Sequence, residues 1–230
     1  MPYRAWIDAA RQAYAPLANP EYAVNMAAYM KRIAPYLGIQ TQARRAALKA
    51  AWKPLAQLDQ PDLAQLVQKL WRLPEREYHY AACDALDWYR GAISADFLDD
   101  PVRELVTTKS WWDSVDSLGT VIITPLVNTY PELIDTMWDW NRDENIWLVR
   151  ASIQHQRGNR DETDLALLLA MCEPHIANKE FFIAKAIGWA LRDASAYWPN
   201  EVQEFIDRYP GISSVARREG QRGVDRALRN

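Results

Sequence analysis

The chain has 230 residues, 49% of them hydrophobic, which is enough to bury the core of one domain or one array of repeats. Its net charge of −3 excludes a uniformly basic surface, so any contact with nucleic acid needs basic residues gathered on one face. The two cysteines give no disulfide framework, the N-terminus lacks a signal-peptide core, and no apolar run approaches membrane-spanning length, so we expect a cytoplasmic protein without a membrane partner.

Helical periodicity runs through the whole chain. Glycine is scarce, alanine and leucine abound, and clear strand-like alternating runs are absent from the sequence. Prolines and short polar breaks separate about a dozen segments of roughly 10–20 residues, and the short connections favour antiparallel neighbours. The sequence therefore predicts an all-α fold, a curved solenoid of HEAT-like helical hairpins in a single domain over residues 1–230.

The first informative stretch runs from Met26 to Gln40. Gly38 is placed to end a helix in the left-handed conformation, which leaves Gln40 in a turn with its amide free. Tyr29 is interpreted either as a core residue or as the wall of a pocket. The usual burial of tyrosine favours the core.

Charged residues at two helix starts have structural interpretations. Arg44 and Arg45 open the helix after Gln40, where a solvated face is commoner than a phosphate contact. Pro74 fits the first turn of a later helix, and Glu75 and Glu77 are favourable near its positive end. We interpret the second stretch as a joint between two helices.

The stretch from Lys109 to Asp116 is interpreted as the start of a helix. Ser110 is predicted to cap it, with Asp113 as a short-armed return partner. Trp112 and Asp116 then share one flank, one turn apart. This pair is either a site or a packed tryptophan beside a solvated charge. The buried stripe is predicted at Trp111, Val115, Leu118 and Ile122.

Arg150 lies at the edge of an apolar stripe formed by Ile146, Val149 and Ile153. An arginine beside a buried face usually has a fixed partner. That partner is either a carboxylate on the next helix or a phosphate held by two hydrogen bonds. When Arg150 is considered without the other stretches, the carboxylate is favoured.

Lys185, Trp189 and Arg192 are spaced to share one flank of a helix. A stripe of cation, aromatic ring and cation suits a surface for phosphates and bases. The same stripe also occurs at an ordinary amphipathic edge, where cationic stems cover a tryptophan. The two interpretations have equal weight.

The C-terminal stretch differs in composition from the rest of the chain. Gly220 and Gly223 are expected to weaken a helix there. The stretch is interpreted equally as a DNA-contacting end or as a frayed tail. Its basic residues are Arg217, Arg218, Arg222, Arg226 and Arg229.

Several kinds of catalytic chemistry are missing from the sequence. His79, His155 and His175 fall in no zinc-ligand pattern, and the sequence has neither a glycine-rich phosphate loop nor a serine-nucleophile elbow. We therefore predict no metal and no cofactor. An enzyme with this sequence works with carboxylates, aromatic rings and arginines.

Together these stretches resemble the AlkD-type alkylpurine DNA glycosylases, the DNA alkylation repair family of HEAT-like proteins. The resemblance runs in order from about Asn19 to Arg192, so it covers most of the chain, and it is weak beyond Ser213. The matching sequences are Tyr29-Met30-Lys31, Leu37-Gly38-Ile39-Gln40, Leu73-Pro74-Glu75-Arg76-Glu77, Thr108 through Asp116, Asn145-Ile146-Trp147-Leu148 with Arg150, and Lys179-Glu180-Phe181-Phe182 through Trp189 and Arg192.

The resemblance implies excision of N3- and N7-alkylated purines that carry a positive charge, without flipping the base into a pocket. It implies a catalytic cleft formed by Trp112, Asp116 and Trp189, with Tyr29 nearby. The implied partner is double-stranded DNA containing alkylated purines, bound by a monomer. The DNA-binding residues expected on this basis are Tyr29, Gln40, Lys109, Ser110, Arg150, Lys185 and Arg192.

Two other functions fit the same sequence. One is a HEAT-like protein that binds DNA structures without excision, and the other is a protein–protein scaffold. The presence of both Trp112 and Asp116 favours the enzyme over the first alternative. The Lys185–Trp189–Arg192 stripe favours DNA over the second.

Overall fold

The structure is a computed structural model that describes residues 2–229, so the first and last residues of the predicted domain lie outside the described part. Within that range the regular structure consists of fourteen α-helices and short 3₁₀ and π-helical turns, with no strand. The predicted all-α class is confirmed. None of the described helices is long and apolar enough to cross a membrane.

Backbone contacts divide the chain into two compact units, and the boundary falls between Ile122 and Ile123. Each unit contains its own set of packed helices. The single domain over residues 1–230 therefore stays a prediction.

The helices of the first unit are α1 (Tyr3–Tyr14), α2 (Pro20–Tyr29), α3 (Thr41–Trp52), α4 (Gln60–Arg72), α5 (Arg76–Tyr89), α6 (Val102–Thr107) and α7 (Trp112–Leu118). Helix α1 packs against α3 and α4, α4 packs against α5, and α5 also contacts α7. The joint interpreted at Pro74 is confirmed, because α4 ends at Arg72 and α5 begins at Arg76.

Arg44 joins α3 to α5 through a buried ion pair. Its side chain is 6% exposed, and its Nη1 donates to Oδ2 of Asp84 at 2.5 Å. The expectation of a solvated face is wrong for Arg44, because α3 turns this residue toward a carboxylate of α5. Arg45 is exposed and pairs with both Asp84 and Asp87.

The loop before α3 is held by the buried carboxylate of Glu77. This carboxylate accepts hydrogen bonds from the backbone N–H groups of Leu37, Gly38 and Ile39, at 2.9, 2.8 and 3.1 Å. Gly38 has the predicted left-handed φ of +82°. It does not end a helix, however, because α2 ends at Tyr29. Its conformation shapes the loop instead.

The helices of the second unit are α8 (Thr124–Thr129), α9 (Leu133–Asn141), α10 (Ile146–Ile153), α11 (Leu165–Cys172), α12 (Phe181–Ala194), α13 (Pro199–Arg208) and α14 (Ser214–Ala227). Helix α12 packs extensively against α14, α10 packs against α9 and α12, and α13 packs against α14. The buried core of this unit includes Ile153, Ile187, Leu191 and Ile206.

Glycines allow α12 and α14 to approach closely. A Cβ on Gly188 would meet Cβ of Glu219 at 2.8 Å, and a Cβ on Gly223 would meet Cα of Arg192 at 2.8 Å. Of the two interpretations left open for the C-terminal stretch, the frayed tail is therefore wrong, because the stretch forms a helix that packs on α12. The glycines that weaken an isolated helix here permit its packing.

Gly223→Ala is expected to lower the free energy of unfolding by about 1–3 kcal/mol, because the added methyl overlaps backbone atoms of α12 that cannot move aside. This cost exceeds the gain in helix propensity, which is roughly 1 kcal/mol. Urea denaturation measures the change. Gly211→Ala is the control, since a Cβ there meets nothing within 4 Å. Equal stability of the two variants would contradict the close packing.

Candidate functional site

The helix α7 begins at Trp112, and no side chain caps it. Oγ of Ser110 donates instead to the carbonyl of Val106 at 2.5 Å. The predicted capping box is therefore wrong. Asp113 has no role as a return partner, because its carboxylate accepts two hydrogen bonds from Arg76, at 2.6 and 3.1 Å.

Arg76 is the centre of a buried polar network beneath the start of α7. Its side chain is 0% exposed, and besides binding Asp113 it donates to the carbonyl of Lys109 at 2.8 Å and to Oγ of Ser114 at 2.7 Å. Tyr80 donates a further hydrogen bond to Asp113 at 2.5 Å. The network fixes the first turn of α7 against α5.

Trp112 and Asp116 lie one turn apart on α7, as predicted, and both are half-buried. Val115 and Leu118, at 1% and 0% exposure, face the core, which confirms this part of the buried stripe. A π-helical turn, Gly119–Ile123, follows directly. Such turns occur frequently at functional sites. The first unit thus presents an aromatic ring and a carboxylate from one rigid helix.

His79 belongs to the same network and is neutral. Arg76 Nη1 lies 3.1 Å from His79 Nδ1, and since arginine only donates, Nδ1 accepts and the Nε2–H donates to the carbonyl of Leu73 at 3.0 Å. Burial, together with the charge of Arg76, lowers the pKa of His79 to about 4.

The network is expected to weaken in acid. The unfolded chain takes up a proton on His79 below pH 6.5 and the folded chain only below about 4, so the free energy of unfolding falls as pH falls through this window. The free energy of unfolding changes by up to about 1.4 kcal/mol per pH unit in this window.

Denaturation of wild type and His79→Gln at several pH values measures this dependence. Since the pKa of His155 is also lowered by burial, the difference between the two proteins isolates His79. Parallel profiles would contradict the assignment.

Lys109 caps the end of α4. Its Nζ donates to the carbonyls of Arg72 and Leu73, both at 2.9 Å, where a cation favours the negative end of the helix. Desolvation by burial lowers the pKa of this ammonium group. Lys109 is therefore a structural cation here, and its predicted contact with DNA stays a prediction.

Tyr29 and Gln40 lie on the surface of the first unit. Tyr29 is 73% exposed at the end of α2, so its interpretation as a core residue is wrong. Gln40 precedes α3, is exposed, and does not cap that helix with its side chain. Their expected contacts with DNA stay predictions.

Four cations surround the ring of Trp189 on α12. The distances from the cationic groups to the ring centroid are 5.4 Å for Arg150, 5.3 Å for Arg157, 6.0 Å for Lys185 and 5.5 Å for Arg192. The predicted cation–aromatic–cation stripe is present, with two further arginines beside it. The ring quadrupole attracts these cations, and their positive field favours an anion nearby.

Glu219 of α14 is the counter-ion of this cluster, and the sequence analysis missed it. Its side chain is 6% exposed and lies 2.8 Å from Lys185 Nζ, 3.1 Å from Arg192 Nη1 and 3.5 Å from Arg222 Nη1. The hydrogen bond from Lys185 holds the pKa of the Glu219 carboxyl below its usual value. The only sequence signal was the small-residue spacing of α14 at Ala216, Gly220 and Gly223, which allows the close approach to α12.

Arg150 is 1% exposed, and its Nη1 donates to the carbonyl of Phe182 at 2.7 Å. The guanidinium lies inside the second unit beside Trp189, and its expected contact with a phosphate stays a prediction. Arg150 supports the site by fixing the start of α12 and the ring of Trp189.

Arg150→Ala is expected to lower the free energy of unfolding by roughly 2–3 kcal/mol, because a charged hydrogen bond and a cation–π contact are lost. Binding to damaged and undamaged DNA is expected to weaken alike, since Trp189 loses its support. Urea denaturation and a duplex-binding assay measure the two effects. Unchanged stability with weaker binding would support a direct phosphate contact instead.

The structure brings together the predicted residues of each unit. Trp112 and Asp116 share α7 in the first unit, while Lys185, Trp189 and Arg192 share α12 in the second. A cleft that combines the two sets stays a prediction. Among the described residues, no group of three or more His, Cys, Asp and Glu side chains is arranged to hold a metal ion.

Comparison with known proteins gives one family and similar solved structures. The family model described as DNA alkylation repair enzyme matches residues 10–223. A predicted DNA alkylation repair enzyme from Enterococcus faecalis is 31% identical, with a TM-score of 0.82, and the match covers 89% of this chain and 95% of that chain. None of the curated proteins compared matches the chain.

A second solved structure resembles the chain more distantly. The alkylpurine DNA glycosylase AlkC of Pseudomonas fluorescens, bound to DNA containing an abasic site analog, has a TM-score of 0.50 and 15% identity. The match covers 99% of this chain and 62% of that chain. At this identity the similarity concerns the fold alone.

Proposed function

Because this chain belongs to the DNA alkylation repair enzyme family, we propose that it is a DNA glycosylase that removes positively charged N3- and N7-alkylpurines from double-stranded DNA. The function in DNA repair follows from the family. The glycosylase chemistry, the alkylpurine substrates and the roles of individual residues are the proposal.

The observation that carries the proposal is the pairing of Trp112 and Asp116 on α7. The two half-buried side chains lie one turn apart on a helix whose first turn is fixed by the buried Arg76–Asp113 ion pair. A catalytic group gains most when the element that carries it is rigid. A solvated surface charge does not require a helix held in place by a buried ion pair.

The chemistry suits a site of this composition. An alkylpurine cation leaves as a neutral base, so the electron pair of the broken glycosidic bond is accepted without a general acid. Positive charge develops on the deoxyribose, as in other glycosidic cleavages. The carboxylate of Asp116 stabilises this charge and positions a water molecule that adds to C1′. The water then loses a proton to solvent. An abasic site remains.

Trp112 and Trp189 have different charged surroundings, which supports different roles for their rings at the lesion nucleotide. Trp112 shares its flank with a carboxylate, so its ring suits the cationic lesion nucleotide. Trp189 is already surrounded by four cations, which disfavours a cationic base at its face. We therefore assign Trp189 and its cations to the phosphate of the lesion nucleotide.

DNA as the partner is supported by the second unit. Lys185 and Arg192 are each within 6.0 Å of the Trp189 centroid, and both keep part of their side chains exposed, at 23% and 38%. Phosphate oxygens can meet these cations from the surface. AlkC, which shares the fold, is bound to DNA in its solved structure.

An excision assay on duplex DNA bearing N7-methylguanine tests the proposal. Release of the free base and formation of an abasic site are the expected results. The cation cluster around Trp189 alone also fits a DNA-structure-binding protein without excision. Tight binding to the same duplex without base release would establish that alternative, and absence of both would reject a role on this DNA.

A further inference from the structure

The second unit contains a cavity of about 730 Å³ that no predicted site residue except Trp189 and Arg192 reaches. It lies between the segment that follows α10 and the helices α12 and α14. A volume of this size is typical of ligand sites. Much of one wall comes from α14, where the resemblance to the family is weak.

The charges that line the cavity are mostly positive. The lining includes a single carboxylate, that of Asp193, which lies 3.5 Å from Arg192 Nε. Glu219 is outside the lining and lies 3.1 Å from Arg192 and 3.5 Å from Arg222. Clustered guanidinium groups are the preferred protein partners of phosphate. The arginines of the lining are Arg157, Arg160, Arg192, Arg222 and Arg226.

A buried donor in the same lining is available to a ligand. Gln154 is 6% exposed and lines the cavity, and its Nε2 has no hydrogen-bond partner within the protein. Buried amide groups are almost always paired, because an unpaired donor has lost its hydration without compensation. A ligand oxygen in the cavity completes this pairing.

We infer that this cavity binds a phosphate group of the DNA backbone, with arginines of α14 as charge partners and Gln154 as a neutral donor. The inference rests on the proposed function for the identity of the ligand as DNA. A strand fits better than one small phosphate, because each backbone phosphate carries one negative charge and consecutive phosphates can meet several of the five arginines in the lining. Exposed Arg160, Arg222 and Arg226 leave the cavity open to a long strand.

The charge contacts are tested with the double variant Arg222→Gln, Arg226→Gln. Both side chains are exposed, so the fold is retained, which a thermal melt verifies. Affinity for an undamaged duplex is measured over a series of salt concentrations. The expected result is a roughly tenfold weaker affinity and a salt slope reduced by about 0.9 for each lost phosphate contact. A slope equal to that of the wild type would overturn the proposal.

Arg218→Gln is the matched control. It lies on the same helix and is exposed, but it does not line the cavity. It removes one positive charge, so it reports the general effect of net charge on binding. A loss of slope equal to half that of the double variant would assign the effect to net charge and overturn the site.

Gln154→Leu separates the neutral donor from the charges. Leucine fills a similar volume without polar atoms. Affinity for the duplex is expected to fall roughly fivefold with an unchanged salt slope, because a neutral hydrogen bond releases no counterion. Unchanged affinity would remove Gln154 from the site.

Inorganic pyrophosphate distinguishes a backbone phosphate from a small phosphate ligand. It is expected to displace the duplex only at millimolar concentration. Displacement at micromolar concentration, lost in the double variant, would overturn the assignment to DNA. None of these measurements uses excision. If the N7-methylguanine assay fails while the salt slopes behave as expected, the glycosylase proposal falls and the phosphate site stands.

Discussion

Asp116→Asn is expected to slow single-turnover excision of N7-methylguanine by on the order of 10²–10³, or roughly 3–4 kcal/mol, while affinity for the DNA stays nearly constant. Asparagine keeps the shape and removes the negative charge. A group that acts mainly on the transition state changes the rate and leaves ground-state binding unaffected. The effect is expected to be smaller for lesions that depart readily, since a weaker glycosidic bond needs less stabilisation.

Rate and affinity have to be measured on the same preparation. Asp99→Asn is a suitable control, because this aspartate is exposed in the first unit and lies outside α7. It reproduces the change in net charge at a distance from the proposed chemistry. Full excision by Asp116→Asn would remove Asp116 from the mechanism, and loss of the folded state would return it to a structural role.

Helix type and buried faces could be predicted from the sequence, because both depend on local periodicity. Val115 and Leu118 lie on the predicted stripe and are buried. The capping prediction at Ser110 failed for two reasons. Ser110 donates to a different local group, the carbonyl of Val106 four residues earlier, and Ser hydroxyls have several such local acceptors to choose from. Asp113 is held by Arg76, more than thirty residues away in the chain, and the local sequence does not contain that partner.

The candidate site was predictable only as residue types in a family pattern. Tyr29 was assigned to the core on the average burial of tyrosine, yet it ends a short helix whose residues are not buried. Arg150 was expected to have a fixed partner, but the sequence did not indicate that the carbonyl of Phe182 and the ring of Trp189 would be among its contacts. Glu219 escaped notice because its contacts to Lys185 exist only after α12 and α14 have packed. Long-range pairings of this kind leave no periodicity in a sequence.

Asp113→Ala is expected to lower the free energy of unfolding by about 3–5 kcal/mol, because it leaves the charge of Arg76 buried without a partner. This is the largest effect on stability that we expect from one substitution. Chemical denaturation measures it. Excision is also expected to fall, because the turn that carries Trp112 is no longer held by the Arg76–Asp113 ion pair. In this variant the loss of activity accompanies lower stability, whereas Asp116→Asn is expected to lose activity while the protein stays folded.

The double variant Arg76→Met, Asp113→Leu separates the contribution of the ion pair from that of the other contacts of Arg76. It removes both charges and fills their space with apolar atoms, and replacement of a buried ion pair in this way is often neutral or stabilising. We therefore expect the double variant to unfold at a higher denaturant concentration than Asp113→Ala. Because Lys109, His79 and Ser114 also bind Arg76, some stability stays lost relative to the wild type. If the double variant is less stable than Asp113→Ala, the guanidinium stabilises the fold mainly through those neutral partners, and the ion pair is not what seats α7.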